Sequence, residues 1–280
     1  MSRRAAVRPR PPIAILTDFG YRDHYVGAMK AVIATLAPDA RVIDVTHGIP
    51  AQSVVAGALA LRECWRYFPA DTIFLCVVDP GVGTARLGLA IETDTGARFV
   101  APDNGLVSLA VEQAGLKRAV ELRSVRYRLS KVSSTFHGRD IFAPAAAWLW
   151  RGKPLDAMGP RVAEIQRLSL GEPLLRERKL VGAVVYVDGF GNLVTNIGRD
   201  ALARLQAGFP GRRLSVRIGR GAPLTIVNAY GDAPQGAALA TFGSFELLEI
   251  AVRDASAAER FGAAQGAPVT VTASPGLRNG

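Results

Sequence analysis

Four short clusters in the first half of the chain hold the residues best suited to chemistry. They are Thr17-Asp18-Phe19-Gly20 with Asp23, Asp79-Pro80-Gly81-Val82-Gly83-Thr84 with Arg86, Ala101-Pro102-Asp103-Asn104-Gly105, and Ser134-Thr135-Phe136-His137-Gly138-Arg139-Asp140. A carboxylate accepts from two hydroxyls at once, so an aspartate at a strand end suits a ribose diol. Asp18 fits that role, and equally that of a turn former or helix cap. Asp79 starts a Pro-Gly turn, and the spacing of Arg86 lets it fold back over that turn and pair with Asp79. Gly81-Val82-Gly83 lacks the full dinucleotide fingerprint. His137 stands among Phe136, Gly138, Arg139 and Asp140 at an expected helix start, where small and charged groups add little to packing. An imidazole there can act as a base or orient a water.

The other two histidines, His24 and His47, read as structural. No pair of histidines has metal-ligand spacing, so no metal site is expected. The chain has no GxSxG nucleophile elbow, so covalent acyl chemistry is not expected. The second half has one cluster, Asp188-Gly189-Phe190-Gly191-Asn192, followed by Thr195-Asn196. Its glycines account for a β-turn. They do not account for Phe190 at the tip or for the amides of Asn192 and Asn196, which together suit a ligand platform. Gly243-Ser244-Phe245 is a similar turn before an apolar run.

The elements that position these clusters follow from hydrophobic periodicity. Residues 12–17, 41–45, 72–79, 87–92, 98–101 and 119–122 read as strands, and 25–36, 53–65, 106–114 and 141–150 as helices. Val26, Met29, Ile33 and Leu36 recur at helical spacing. The run 72–79 has no alternation, as expected for a strand buried on both faces. Strand–helix alternation predicts an α/β fold class with a largely parallel sheet, and ligands then bind beyond the strand C-termini. Four clusters would face one cleft.

After a charged, aperiodic stretch the pattern becomes strand-like, over 181–187, 193–197, 214–218, 224–227, 238–242, 245–252 and 268–273, with one helix over 199–208. The expected organisation is a disordered basic tail (1–11), an N-terminal α/β domain (12–168), a linker (169–180) and a smaller C-terminal all-β, barrel-like domain (181–280).

Composition narrows the function classes. The chain has 280 residues, 49% hydrophobic and 21% charged, with a net charge of +10. The charge admits a nucleic-acid binder. However, Arg3, Arg4, Arg8 and Arg10 lie in the tail and the other basic residues are scattered without interleaved aromatics, so no nucleic acid is expected. No apolar run reaches the ~18 residues of a membrane span. The run after the basic start is too short for a signal peptide. No membrane partner and a cytoplasmic location are therefore expected. Cys64 and Cys76 lie in apolar runs and read as core residues.

Five segments, ILTDFGYRDHYVGAMKAVI, VVDPGVGTAR, APDNGL, STFHGRDIFAPAAA and VDGFGNLVTNI, resemble in order those of the S-adenosylmethionine hydroxide adenosyltransferases, relatives of the fluorinase and chlorinase. The resemblance implies hydrolysis of S-adenosyl-L-methionine at the ribose 5′-carbon, giving adenosine and methionine, with no cofactor. It implies a homotrimer with sites at subunit interfaces. It implies that Asp79, Arg86 and His137 activate water and that Asp18 holds the ribose diol. Asp188, Phe190 and Asn192 match a loop that contacts the amino-acid end and adenine; Ser244 matches a residue near the methionine carboxylate, and Tyr230 one stacking near adenine. Phe19, Phe136 and Phe190 would keep the pocket dry. The halogenating relatives carry an insertion for which 84–101 has no room. The fluorinating ones place serine at the position of Gly138. A halogenase of the same fold and a non-catalytic sensor of S-adenosylmethionine or a nucleoside are the alternatives.

Overall fold

A computed structural model describes residues 10–273, and the chain divides at Leu168/Ser169 into two compact units. The first holds β1 (Ile13–Thr17), α1 (Tyr25–Leu36), β2 (Val42–Thr46), α2 (Val54–Cys64), β3 (Ile73–Val77), β4 (Gly88–Thr93), β5 (Arg98–Pro102), α3 (Ser108–Ala114), β6 (Leu116–Glu121), α4 (Ala143–Trp150) and β7 (Arg161–Val162). They form a mixed seven-stranded sheet in the order β2-β1-β3-β5-β4-β6-β7. The β2, β1, β3 and β5 strands run parallel, whereas β4, β6 and β7 join antiparallel. The change of sense has a local cause: a short turn at 94–97 joins β4 to β5, and a connection that short permits only antiparallel pairing. The same turn leaves no inserted segment between 84 and 101.

Every residue of β1 and of β3 is buried. Covering both faces of these strands takes helices on each side, and α1 supplies one with the stripe Val26, Met29 and Ile33. Met29 and Ile33 join Ile15, Leu75, Phe142 and Ala146 in one core. From β1 the chain passes to β2 on one side, then crosses to β3 on the other. The loops after β1 and β3 therefore part, and a crevice opens at their C-terminal ends.

The second unit holds β8 (Leu174–Arg176), β9 (Lys179–Val187), β10 (Leu193–Gly198), α5 (Arg199–Gly208), β11 (Leu214–Ile218), β12 (Leu224–Thr225), β13 (Ala238–Phe242), β14 (Leu247–Val252), α6 (Ala257–Phe261) and β15 (Pro268–Ala273). Its antiparallel order is β12-β11-β15-β9-β10-β14-β13, and a bridge between Ile226 and Ala240 brings the two ends together. The barrel is thus nearly closed, which leaves little free strand edge.

Three details depart from the sequence expectation. The expected linker contains β8, which forms a hairpin with β9 through Glu177, at φ 47°. A three-residue strand rich in arginine and leucine has too few positions to show alternation. The β7 strand has two residues and α6 five. The capping box Ser256-x-x-Glu259 announces α6 in the sequence, and the Ser256 hydroxyl accepts from the Glu259 amide at 3.1 Å. Of the expected tail, 1–9 lie outside the described residues. Pro11 accepts through its carbonyl from Trp150 Nε1 at 2.8 Å, and the Arg10 guanidinium lies over the Trp150 ring.

Candidate active site

The crevice of the first unit is a cavity of about 290 Å³ lined by Asp18, Phe19, Tyr25, Ala51, Gln52, Val77, Asp79, Val82, Thr135, Phe136, His137 and Gly138. Three of the four sequence clusters meet here. The fourth, Ala101–Gly105, does not line it. Asn104 instead donates through its amide to the Val78 carbonyl at 2.9 Å, one residue before Asp79, and Asp103 accepts from the Gln166 amide at 2.8 Å. This cluster supports the turn that carries Asp79.

Asp79 leaves the end of β3 on a turn whose Gly83 has φ +79°, and a Cβ there would lie 2.6 Å from the Ser134 carbonyl oxygen. Only glycine allows both that backbone conformation and that approach. The close approach brings Asp79 against the segment that carries His137. Arg86 folds back over the turn: its Nε donates to Asp79 Oδ1 at 2.9 Å, and its Nη2 donates to Asp79 Oδ2. The same Nη2 lies 2.8 Å from His137 Nδ1. Both members of the ion pair are nearly buried, with side-chain exposures of 11% for Arg86 and 5% for Asp79.

A guanidinium has only donors. His137 Nδ1 therefore accepts, and the neutral ring carries its proton on Nε2. Burial, then the charge of Arg86, hold the His137 pKa below its ordinary 6.5 against the opposing pull of Asp79. Replacing Arg86 with methionine removes the repulsion and unmasks Asp79. The titration of the His137 ring protons, followed by NMR, is expected to move upward; an unchanged or lower midpoint would contradict this geometry.

His137 precedes a π turn, Gly138–Phe142, that runs into α4. Pro144 has no N–H to give the Asp140 carbonyl, which accepts instead from the Leu129 amide at 2.9 Å. Wide turns of this kind are frequent at functional sites. Asp140 is fully buried and binds Arg139 at 2.6 and 2.9 Å and the Ser133 amide at 2.8 Å. The Arg139 guanidinium in turn lies over the Phe136 ring. Phe136, Phe19 and Tyr25 make an apolar wall, with ring centroids 5.2 to 6.0 Å apart. Opposite them, Asp18 Oδ2 accepts from the Gln52 amide at 2.7 Å. Gln52 is held at φ 63°, a strained conformation at the cavity rim. One carboxylate oxygen bond leaves Asp18 further lone pairs for a ligand.

In the second unit, Asp188 accepts from the amides of Phe190 and Asn192 and from Asn192 Nδ2, at 2.8 to 2.9 Å. That turn is locked from behind, because a Cβ on Gly191 would lie 2.2 Å from Ser256 Oγ. Phe190 at its tip is 84% exposed. Tyr230 donates through its hydroxyl to Glu249 on β14, a buried carboxyl that burial pushes up. Ser244 is exposed in the turn between β13 and β14. Asp188 bears electrostatically on both Tyr230 and Glu249, so these three lie near one another.

Sequence reasoning missed Tyr25, Ala51 and Gln52 in the cavity and Glu249 in the barrel, and it gave no role to Val82 and Thr135 within the clusters it named. Tyr25 opens α1 directly behind the first cluster, a signal that was available. Gln52 had no such signal, since only tertiary folding brings it to Asp18. Among the described residues no group of three or more His, Cys, Asp or Glu side chains could hold a metal, and no helix is long and apolar enough to cross a membrane. Burial pushes the Cys64 thiol up to about 11 and Cys76 up as well, which disfavours the thiolate at both.

An α/β unit with a half-buried Asp-Arg-His constellation at its switch point, in a chain that also holds a small β-barrel, defines a two-unit ligand-transforming enzyme. Residues 13–159 match the N-terminal domain of the SAM hydroxide adenosyltransferases and residues 182–270 match their C-terminal domain. The chain belongs to that family. It is 39% identical to an (R)-S-adenosyl-L-methionine hydrolase of Thermus thermophilus, over 92% of this chain and 98% of the other. It is 30% identical to a fluorinase of Nocardia brasiliensis, over 94% and 97%. The crystal structure of an uncharacterised conserved protein from Thermotoga maritima superposes with a TM-score of 0.83 at 37% identity, over 93% and 99%.

Proposed function

We propose that this enzyme hydrolyses S-adenosyl-L-methionine at the ribose 5′-carbon, releasing adenosine and L-methionine. The observation that carries the reading is the Asp79–Arg86–His137 constellation, of which Asp79 and His137 line the same cavity as Asp18. Asp18 holds the ribose diol. His137 donates from Nε2 to the oxygen of a water and aims it in line with the C5′–S bond. The water oxygen bonds to C5′, the C5′–S electron pair leaves on sulfur as a neutral thioether, and the water proton passes to Asp79 and then to solvent. Attack by water creates a strongly acidic oxonium, which gives up its proton readily to the carboxylate beside it. Arg86 fixes Asp79 and denies His137 a second proton. Positioning and the dry aromatic wall of Phe19, Tyr25 and Phe136 supply the remaining rate enhancement. No cofactor enters this chemistry.

The set Asp188, Phe190, Asn192, Tyr230 and Ser244 receives the methionyl and adenine ends. In this proposal the working form is a cytoplasmic homotrimer in which one subunit's barrel completes its neighbour's site. The exposed Phe190, otherwise without a reason to stand at a turn tip, supports it. Gly138 offers only backbone to the cavity, and a Cβ there would lie 3.2 Å from Met29 Sδ, which favours water over halide. The test is incubation of the purified protein with S-adenosyl-L-methionine in halide-free buffer, followed by chromatography. Adenosine and methionine are expected in equal amounts, with no 5′-halo-nucleoside when chloride or fluoride is added. Substrate bound but left intact would point to a sensor and sink the proposal.

A further inference from the structure

One buried titratable group has no part in this chemistry. His47 is 1% exposed, just beyond the end of β2. Its Nδ1 lies 2.7 Å from the hydroxyl of Thr17, itself fully buried, the last residue of β1 and the neighbour of Asp18. The Thr17 oxygen accepts from the Phe19 amide at 3.2 Å, and the His47 carbonyl accepts from the Gly20 amide at 2.8 Å. Residue 47 therefore touches the 18–20 loop twice, through its ring at the Thr17 hydroxyl that holds Phe19 and through its own carbonyl at Gly20. On its far side, His47 Nε2 lies 3.2 Å from Asp44 Oδ1. The angle of that contact falls outside hydrogen-bond limits, and among the described residues neither atom has a hydrogen-bond partner. Asp44 Oδ2 accepts from Lys30 Nζ at 2.8 Å and from the Tyr21 hydroxyl at 3.3 Å, and the Tyr21 ring packs edge-on against His47.

One protonation state fits the bonds at Thr17. With His47 neutral and its proton on Nε2, Phe19 N–H donates to Thr17, the Thr17 hydroxyl donates to Nδ1, and Nε2 stays beside the Asp44 carboxylate. A second proton on Nδ1 would turn that atom into a donor. The Thr17 oxygen would then face two donors while its own buried hydrogen lost its acceptor, at a cost of about 1–3 kcal/mol for the orphaned group. The charge would also be buried beside Lys30. We infer that His47 is a positioning residue, which as the neutral Nε2–H tautomer holds the loop that presents Asp18 and Phe19 to the ligand. Burial, which outweighs the attraction of Asp44, sets its pKa below the ordinary 6.5. A depressed value means that the ordered loop is complete above that pH and is lost as pH falls through the native pKa.

The consequence for ribose binding rests on the proposed function; the loop's dependence on His47 does not, so two readouts separate them. The first is hydrogen exchange of the 17–24 segment in the ligand-free, full-length protein, from about pH 7.5 to about pH 5. After correction for intrinsic exchange, the wild type is expected to lose protection on acidification and His47→Asn to show no such change. The second is calorimetric affinity for adenosine. Below the native pKa the wild-type Kd is expected to rise up to about tenfold per pH unit, and the His47→Asn profile to be shallower by that factor. If His47→Asn does not fold, Thr17→Val is expected to weaken adenosine binding roughly tenfold at neutral pH, and Thr17→Ser to restore it. Equal pH profiles in wild type and His47→Asn, or a Thr17→Val protein that binds like wild type, would overturn the inference. A pH-dependent loop in a protein that binds no adenosine would instead sink the functional reading and leave the positioning role standing.

Discussion

Asp79→Asn is expected to lower kcat by roughly 100- to 10,000-fold while KM stays within a few-fold, the range typical of a lost proton acceptor. Asparagine keeps the shape of the side chain but cannot accept a proton and leaves half of the Arg86 fork unmatched. His137 gives the informative contrast. If Arg86 occupies Nδ1 and the working atom is Nε2–H, then His137→Gln, whose amide nitrogen can reach the same point, retains far more activity than His137→Ala. A histidine acting as the base would lose activity equally in both. Single-turnover rates with saturating S-adenosyl-L-methionine measure this directly, and thermal melts show whether the buried Asp79 variant folds. Similar rates for Asp79→Asn and wild type would remove Asp79 from the mechanism.

Asp18→Ala is the second large effect, and it should appear in binding. Hydrogen bonds to a charged partner are worth about 1.5–3 kcal/mol, so KM is expected to rise roughly ten- to hundredfold with a smaller change in kcat. The sharper reading is selectivity. The wild type should prefer adenosine to 2′-deoxyadenosine, because only the former offers a diol. Asp18→Ala should bind the two alike. A preference that survives the substitution would mean that another group reads the diol and that Asp18 serves the Gln52 amide alone, as a turn support.

The sequence determined what depends on short stretches of chain. The stripe Val26, Met29, Ile33 predicted α1 and its buried face, and the unbroken apolar run predicted β3 as a strand buried on both sides. The Asp79–Arg86 pair was legible because a seven-residue separation spans one turn. The five family segments were legible as text, and the comparisons bear out the family they resemble.

Tertiary structure decided whatever joins distant residues. Arg86 meets His137 across fifty-one positions, and only that contact says which imidazole nitrogen holds the proton. Asn104 looked like part of the cleft; its bond to the Val78 carbonyl makes it a support, a distinction that depends on where a side chain points. His47 read as structural, which is accurate for its burial and incomplete for its effect. It touches Thr17 across thirty positions because β2 pairs with β1 in parallel, and a parallel pair brings together segments that a whole crossover separates in the chain. Hydrophobic periodicity records which face of an element is buried. It does not record which polar atom on that face finds which partner, and in this protein those partners set the protonation states on which the proposed chemistry depends.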